Sequence, residues 1–180
     1  PQLLVEDARA SMAVAADVFF GEPTRSLEVA GVTGTNGKTT TAFLLRSVLA
    51  AAGRSTGLVG TVEWVVGGAT RPAPHTTPEA IDLQRLFREM VDAGDISVAI
   101  EASSHGSVLH RLDRVRFDAL VFTNLSQDHL DLHGTMEDYY QAKRRLFTGA
   151  QPPPAAVNVG DEHGRSDDRL GGGVRLGRTL

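Results

Sequence analysis

Gly31-Val32-Thr33-Gly34-Thr35-Asn36-Gly37-Lys38-Thr39-Thr40 is the stretch on which the reading of this chain turns. An apolar run, Leu27 to Ala30, leads into it, and a helical pattern leaves it. Strand, glycine-rich loop and helix in that order make a cradle for phosphate. Glycines let backbone N–H groups converge on oxyanions, the helix start presents its positive end, and Lys38 adds a point charge. Thr39 offers a hydroxyl to a magnesium ion bridging the outer phosphates. The general G-x-x-x-x-G-K-[ST] pattern wants glycine where this chain has Val32, with Gly31 and Gly34 on either side. A glycine turn that merely precedes a helix containing Lys-Thr is the plainer alternative, and the strand–loop–helix order favours nucleotide binding. Gly34, Thr35, Asn36, Gly37, Lys38, Thr39 and Thr40 are the expected contacts to the nucleotide.

Outward from the loop, strands and helices alternate. Upstream, Val5 to Phe20 is alanine-rich and reads as a helix, broken by Gly21-Glu22-Pro23. The pattern then predicts a strand over 27–32, a helix over 39–52 closed by Gly53, and a second strand over 58–66 ending at Gly67-Gly68. Thr77 reads as a helix cap with Pro78 first and Glu79 on the dipole. The apolar face of that helix is Leu83, Leu86, Phe87, Met90 and Val91, and Gly94 stops it. A third strand over 96–100 runs into Glu101, a short helical piece covers 105–112, and a fourth strand covers 119–123. Thr135 with Asp138 opens a helix that runs to Phe147. A strand over 155–159 follows Pro152-Pro153-Pro154, Gly171 to Gly173 reads as a loop, and 174–176 as a last strand. Such alternation predicts an α/β fold, a mostly parallel sheet with helices on both faces. Ligands of such sheets sit beyond the carboxyl ends of the strands. The loop after Val32, Glu101, and Asn124 to His129 are therefore expected to share one crevice.

The 180 residues suffice for one sizeable domain, or one with an appendage, and 41% hydrophobic with 22% charged residues is ordinary for a globular protein. A net charge of −4 argues against nucleic acid and against a basic membrane patch. No stretch is apolar for long enough to predict membrane insertion, and no signal-peptide pattern opens the chain. The absence of cysteine fits a reducing, cytoplasmic setting. Pro1 opens the chain where a methionine would stand, so a piece of a longer protein is expected.

Glu101 ends an apolar strand and would supply a hard oxygen ligand to Mg²⁺; a surface glutamate at a strand terminus is the alternative. Residues 122–133 place Asp128, His129, Asp131 and His133 in one short stretch after a buried strand. Beside a phosphate site His129 reads as a metal ligand, whereas His133 reads equally as an exposed loop residue. Lys143-Arg144-Arg145 is by composition a charged helix face, and a lysine ammonium has no lone pair for a metal.

Five stretches together resemble the ATP-dependent Mur ligases of peptidoglycan synthesis. They are Gly-Val-Thr-Gly-Thr-Asn-Gly-Lys-Thr-Thr (31–40), His-Thr-Thr-Pro-Glu-Ala (75–80), Glu-Ala-Ser-Ser-His-Gly (101–106), Phe-Thr-Asn-Leu-Ser-Gln-Asp-His-Leu-Asp (122–131) and Gln-Ala-Lys (141–143). The second and third point to the branch that adds a diamino acid to UDP-N-acetylmuramoyl-L-alanyl-D-glutamate. The resemblance implies the family's central ATP-binding domain over 27–180, incomplete at its C-terminus. It implies the tail of an N-terminal UDP-binding domain and a linker over 1–26, with the C-terminal ligase domain absent. It implies ATP and Mg²⁺, with Lys38 and Thr39 on phosphates and the first metal, Glu101 on that metal and His129 on a second. Lys143 matches the family's carbamylated lysine, an anionic oxygen donor that forms from the neutral amine and so needs a depressed pKa. Lys38 and Lys143 are thus the catalytic pair. His75, Thr76, Thr77, Ser103 and Arg111 match positions that bind the UDP-muramoyl dipeptide.

The implied activity is amide-bond formation through an acyl phosphate, carried out by a monomer and beyond the reach of these 180 residues alone. Three positions depart from the family pattern: Leu109 stands where a glutamine is found, Gln127 where arginine or proline is common, and His75 where asparagine is common. A folylpolyglutamate synthetase would share the phosphate loop while lacking the Thr-Thr-Pro-Glu-Ala and Ser-Ser-His-Gly pairing. A non-catalytic ATP-binding module would need Lys38 but neither Glu101, His129 nor Lys143.

Overall fold

Val29 and Val32 have no exposed surface and, three positions apart on a strand, face opposite ways. That pattern puts β1 (Glu28–Thr33) in the middle of a sheet covered on both sides. The computed structural model describes residues 2, 4–148, 152–166 and 175–176. Within them β1 lies between β5 (Ser97–Glu101) and β6 (Ala119–Phe122), parallel to both. β2 (Thr56–Val59) extends the parallel set beyond β5, and β7 (Ala155–Asn158) and β8 (Arg175–Leu176) extend it beyond β6. An antiparallel hairpin, β3 (Glu63–Val66) and β4 (Ala69–Pro72), closes the β2 edge, giving the order β4-β3-β2-β5-β1-β6-β7-β8.

Helices cover both faces. α3 (Ala80–Asp92) sets Leu83, Leu86, Phe87 and Met90 against Val29, Val59, Val98 and Ile100. Full burial of each such side chain contributes roughly 1.5–3 kcal/mol. α2 (Lys38–Ala51) buries Ala42 on the opposite face, over Val32, Leu58 and Ala99. α6 (Met136–Arg144), continued by a 3-10 turn at Arg145–Phe147, places Tyr139, Tyr140 and Phe147 over Leu120, Phe122 and Val157. α1 (Ala8–Phe19), capped by the Asp7 carboxylate, packs on α3. Short helices α4 (Ser104–Val108), α5 (Leu130–His133) and α7 (Glu162–Ser166) fill loops at the strand ends. Among the described residues no helix is long and apolar enough to cross a membrane.

The α/β sheet, its parallel core and the helix stops at Gly53 and Gly94, both with positive φ, agree with the expectation. The strand expected over 58–66 does not form as one piece. Gly60 to Val62 break it, and the chain returns antiparallel as β3, with β4 unforeseen beyond Gly67-Gly68. Thr77 is not the cap of α3: Glu79 occupies that position, with no side-chain capping bond. The Thr77 hydroxyl instead donates to the buried Glu101 carbonyl at 2.8 Å. Thr135 does cap its helix, accepting from the Asp138 N–H at 3.1 Å. Gly171 to Gly173 and Val174 lie outside the described residues.

Candidate functional site

Because β5, β1 and β6 are adjacent and parallel, the loops that leave them open on the same end of the sheet. The first is the glycine-rich loop. Gly34 and Gly37 hold φ of +144° and +86°, and a Cβ on Gly34 would stand 1.9 Å from Thr123 Oγ1. Only glycine lets the turn pass this close to β6. The segment after β6 grips the loop from the side. Asn124 takes the Thr35 N–H on its carbonyl at 2.9 Å and the Asn36 N–H on Oδ1 at 3.0 Å, and its Nδ2 donates to the Asn36 carbonyl. The Thr35 hydroxyl accepts from Ser126 N at 3.0 Å. Two loop amides expected on phosphate are therefore spent on Asn124. The amides of the first turn of α2, starting at Lys38, have no intrahelical acceptor and face the open end of the loop.

Lys38 folds over the loop, its Nζ donating to the carbonyls of Gly34 at 3.1 Å and Thr35 at 3.0 Å. Burial lowers its pKa, while Glu101 and Asp128 pull it up. Lys143 comes from beneath: α6 delivers its Nζ to the same Gly34 carbonyl at 2.9 Å, with only 1% of the residue exposed. Its Nζ also lies 4.3 Å from the centre of the Tyr139 ring. Burial foremost, then the Lys38 charge, pushes the Lys143 amine down to about 7, against a smaller upward pull from Asp128. The Tyr139 hydroxyl hydrogen-bonds Thr35 Oγ1 at 3.1 Å, so one ring spans Lys143 and the loop.

Glu101 is likewise 1% exposed, and no ion pair to it exists among the described residues. Its carboxylate accepts from Thr39 Oγ1 at 3.1 Å, Thr61 N at 2.8 Å and Thr61 Oγ1 at 3.1 Å. A buried carboxylate satisfied by neutral donors alone, with a threonine hydroxyl alongside, has the hard-oxygen chemistry that Mg²⁺ takes. No group of three His, Asp or Glu side chains gathers among the described residues, so Thr39, Glu101 and phosphate oxygens are the donors that fit such an ion.

Across the cleft, Thr77 Oγ1 and Ser103 Oγ pair at 2.9 Å, and Ser103 caps α4 by accepting from Gly106 N. Arg111 donates to the Thr77 carbonyl at 2.9 Å and to Glu79 Oε1 at 2.5 Å. His129, in the left-handed conformation with φ of +52°, turns its ring toward His105, 4.8 Å between centres. His133 is buried, with Nε2 3.0 Å from Ser104 Oγ, and is no exposed loop residue. Burial is the first cause lowering the pKa of both His105 and His133. A cleft of about 470 Å³ joins residues 35–39, Thr61, His75, Thr76, Thr77, Glu101, Ser103, His105, Arg111 and His129. Thr40 is exposed on α2 outside this lining, and Lys143 lies under the floor. Sequence reasoning placed Asn124 in this crevice and missed Thr61, Tyr139 and His105 as parts of the site. A glycine inside an apparent strand, Gly60, was the one signal that the chain approaches something closely there.

A family profile described as Mur ligase middle domain matches residues 32–169. A UDP-N-acetylmuramoyl-L-alanyl-D-glutamate–2,6-diaminopimelate ligase of Geobacter metallireducens is 50% identical over 169 residues, covering 90% of this chain and 33% of that protein. One of the same name from Streptomyces coelicolor is 50% identical over 165 residues, 92% of this chain and 32% of that protein. The chain thus spans about a third of the length of the curated relatives it matches. A solved structure with the same ligase name superposes with a TM-score of 0.82 at 28% identity, over 99% of this chain and 38% of that one. MurF ligase from Thermotoga maritima in complex with ADP shares the fold, with a TM-score of 0.69 at 22% identity over 99% of this chain and 38% of that one.

Proposed function

The chain belongs to the Mur ligase family, and from that premise we propose that it is the ATP- and metal-binding part of a ligase joining diaminopimelate to UDP-N-acetylmuramoyl-L-alanyl-D-glutamate. Residues 27–180 would be the central domain and 1–26 the end of a preceding UDP-binding domain, with the whole enzyme cytoplasmic and monomeric. The observation that carries this reading is the convergence of Lys38, Lys143, Thr39 and Glu101 on one glycine loop.

In the proposed reaction the dipeptide's terminal D-glutamate carboxylate takes the γ-phosphoryl group of ATP, and ADP leaves. The diamino acid's amine then displaces phosphate from the acyl carbon. Lys38 would move its ammonium from the Gly34 and Thr35 carbonyls onto phosphate oxygens, where charge accumulates. Thr39 and Glu101 would hold one Mg²⁺, and His129 with carbamylated Lys143 a second. Mg²⁺ when bound supplies charge neutralisation and alignment of the phosphates. The lowered pKa of Lys143 supports carbamylation, because the neutral amine is the form that adds carbon dioxide. The carbamate nitrogen would keep one N–H for the Gly34 carbonyl. His75, Thr76, Thr77, Ser103 and Arg111 line or brace the wall opposite the loop and would hold the muramoyl dipeptide.

A graft tests this. Replacing the matched third of the Geobacter enzyme with this chain should retain diaminopimelate-dependent phosphate release, lost on Lys38→Ala or Glu101→Ala. A folded graft that binds ADP but releases no phosphate with diaminopimelate would refute the assignment.

A further inference from the structure

We propose that Thr61 is a positioning residue, which fixes the Glu101 carboxylate for a divalent cation and ties it to Thr76 on the opposite wall of the cleft. The inference rests on the reading of Glu101 as a magnesium ligand. Thr61 belongs to none of the motifs that identify the family in this chain; it sits in the turn between β2 and β3, where the sequence reads as mid-strand.

Both Glu101 oxygens meet this one residue. The Thr61 N–H donates to Oε1 at 2.8 Å, and its hydroxyl lies 3.1 Å from Oε2. The backbone comes in this close because the preceding residue is Gly60, where a Cβ would stand 2.5 Å from Oε1. A glutamate carboxylate, free to turn about the last of its three rotatable side-chain bonds, can present either oxygen to a cation. Clamped at both oxygens, it keeps one orientation, with Oε2 also toward Thr39 Oγ1 at 3.1 Å. Residues that hold a ligand in this way typically change metal affinity roughly 10–100-fold when removed.

The Thr61 hydroxyl has a second neighbour, Thr76 Oγ1 at 3.0 Å. A hydroxyl has one proton and two lone pairs. When Thr61 donates to Glu101, it accepts from Thr76; when it donates to Thr76, Oε2 loses a donor. A cation that draws on Oε2 therefore biases which way the Thr61 and Thr76 hydroxyls point. The state of the metal site is passed in this way to a group on the dipeptide wall.

The test is calorimetric titration of this chain with ADP across a series of Mg²⁺ concentrations. Thr61→Val should raise the Mg²⁺ concentration for half-maximal enhancement of ADP binding about tenfold. Metal-free ADP affinity should change far less than the Mg²⁺ requirement does. Thr61→Ser, which restores the hydroxyl, should return the Mg²⁺ requirement to within about twofold of the parent, judged against that same scale. A structural role alone would shift ADP affinity equally with and without Mg²⁺. An unchanged Mg²⁺ dependence in Thr61→Val, or a serine variant as impaired as valine, would overturn the proposal. Thr61→Ala carries the same comparison should valine not fold. If the parent binds ADP with no Mg²⁺ dependence, the metal reading of Glu101 fails, and this inference with it. If the parent shows the dependence and Thr61→Val keeps it, only the inference fails.

Discussion

At the residue scale the informative group is Lys143, a lysine almost wholly excluded from water and hydrogen-bonded to a backbone carbonyl rather than to an acid. Its amine sits at about 7 in the fold against 10.5 in a free chain. Below pH 7 folded and unfolded chains both carry the proton, and the full cost of burying the cation falls on the fold. Between about 7 and 10.5 only the unfolded chain keeps the proton, so stability rises with pH through that window. Lys143→Met should flatten the rise and add on the order of a few kcal/mol near pH 7, as urea midpoints in carbon-dioxide-free buffer would show. The same variant should abolish incorporation of ¹³C from bicarbonate, which in the parent should grow as pH passes 7. Composition alone read this residue as one of three cations on a solvated helix face. Its burial depends on Tyr139 and Gly34, which stand 4 and 109 positions away, and no local pattern encodes that.

At the element scale the glycine loop is held less by its own helix than by the segment after β6. Asn124 satisfies two loop amides and one loop carbonyl, and Asp161 at the start of α7 in turn accepts the Leu125 N–H at 3.0 Å. Asn124→Ala keeps the backbone carbonyl that takes the Thr35 N–H, so it should leave the sheet intact, cost about 1–3 kcal/mol for the unpaired Asn36 groups, and speed hydrogen exchange at Asn36 rather than at Thr35. Unchanged exchange at Asn36 would remove the Asn124 side chain from this role. The order of elements was legible because apolar runs and glycine stops are local signals. The β2–β3 turn was not, since Leu58 to Val66 keeps its apolar character straight through the reversal. What breaks the strand is the buried carboxylate of Glu101, about 40 positions downstream, against which Gly60 and Thr61 close. The crevice beyond β1, β5 and β6 followed from strand order, which parallel alternation does constrain. Thr77 shows the opposite case: its position before Pro78 satisfies the capping rule, yet a buried carbonyl in β5 takes its proton.

At the scale of the whole molecule, a row of polar contacts runs from the lead-in helix to the cleft. Arg9 on α1 donates to Glu79 Oε2 at 3.0 Å, Glu79 Oε1 takes Arg111 at 2.5 Å, and Arg111 donates on to the Thr77 carbonyl. Glu79→Gln should loosen both arginines, speed hydrogen exchange in α1, and cost on the order of 1 kcal/mol, most visible at low salt. Equal exchange in parent and variant would show that α1 is held by its apolar packing on α3 alone. Asn124 holds the loop bank without touching this row, and Arg111 braces the other bank without touching the loop. The bank carrying Thr77 is thereby joined to α1, and the bank carrying Lys38 to the segment after β6. Each shore of the cleft thus has an outer brace of its own, one of them a helix that lies wholly outside the sheet, and Thr61 is the plank between them.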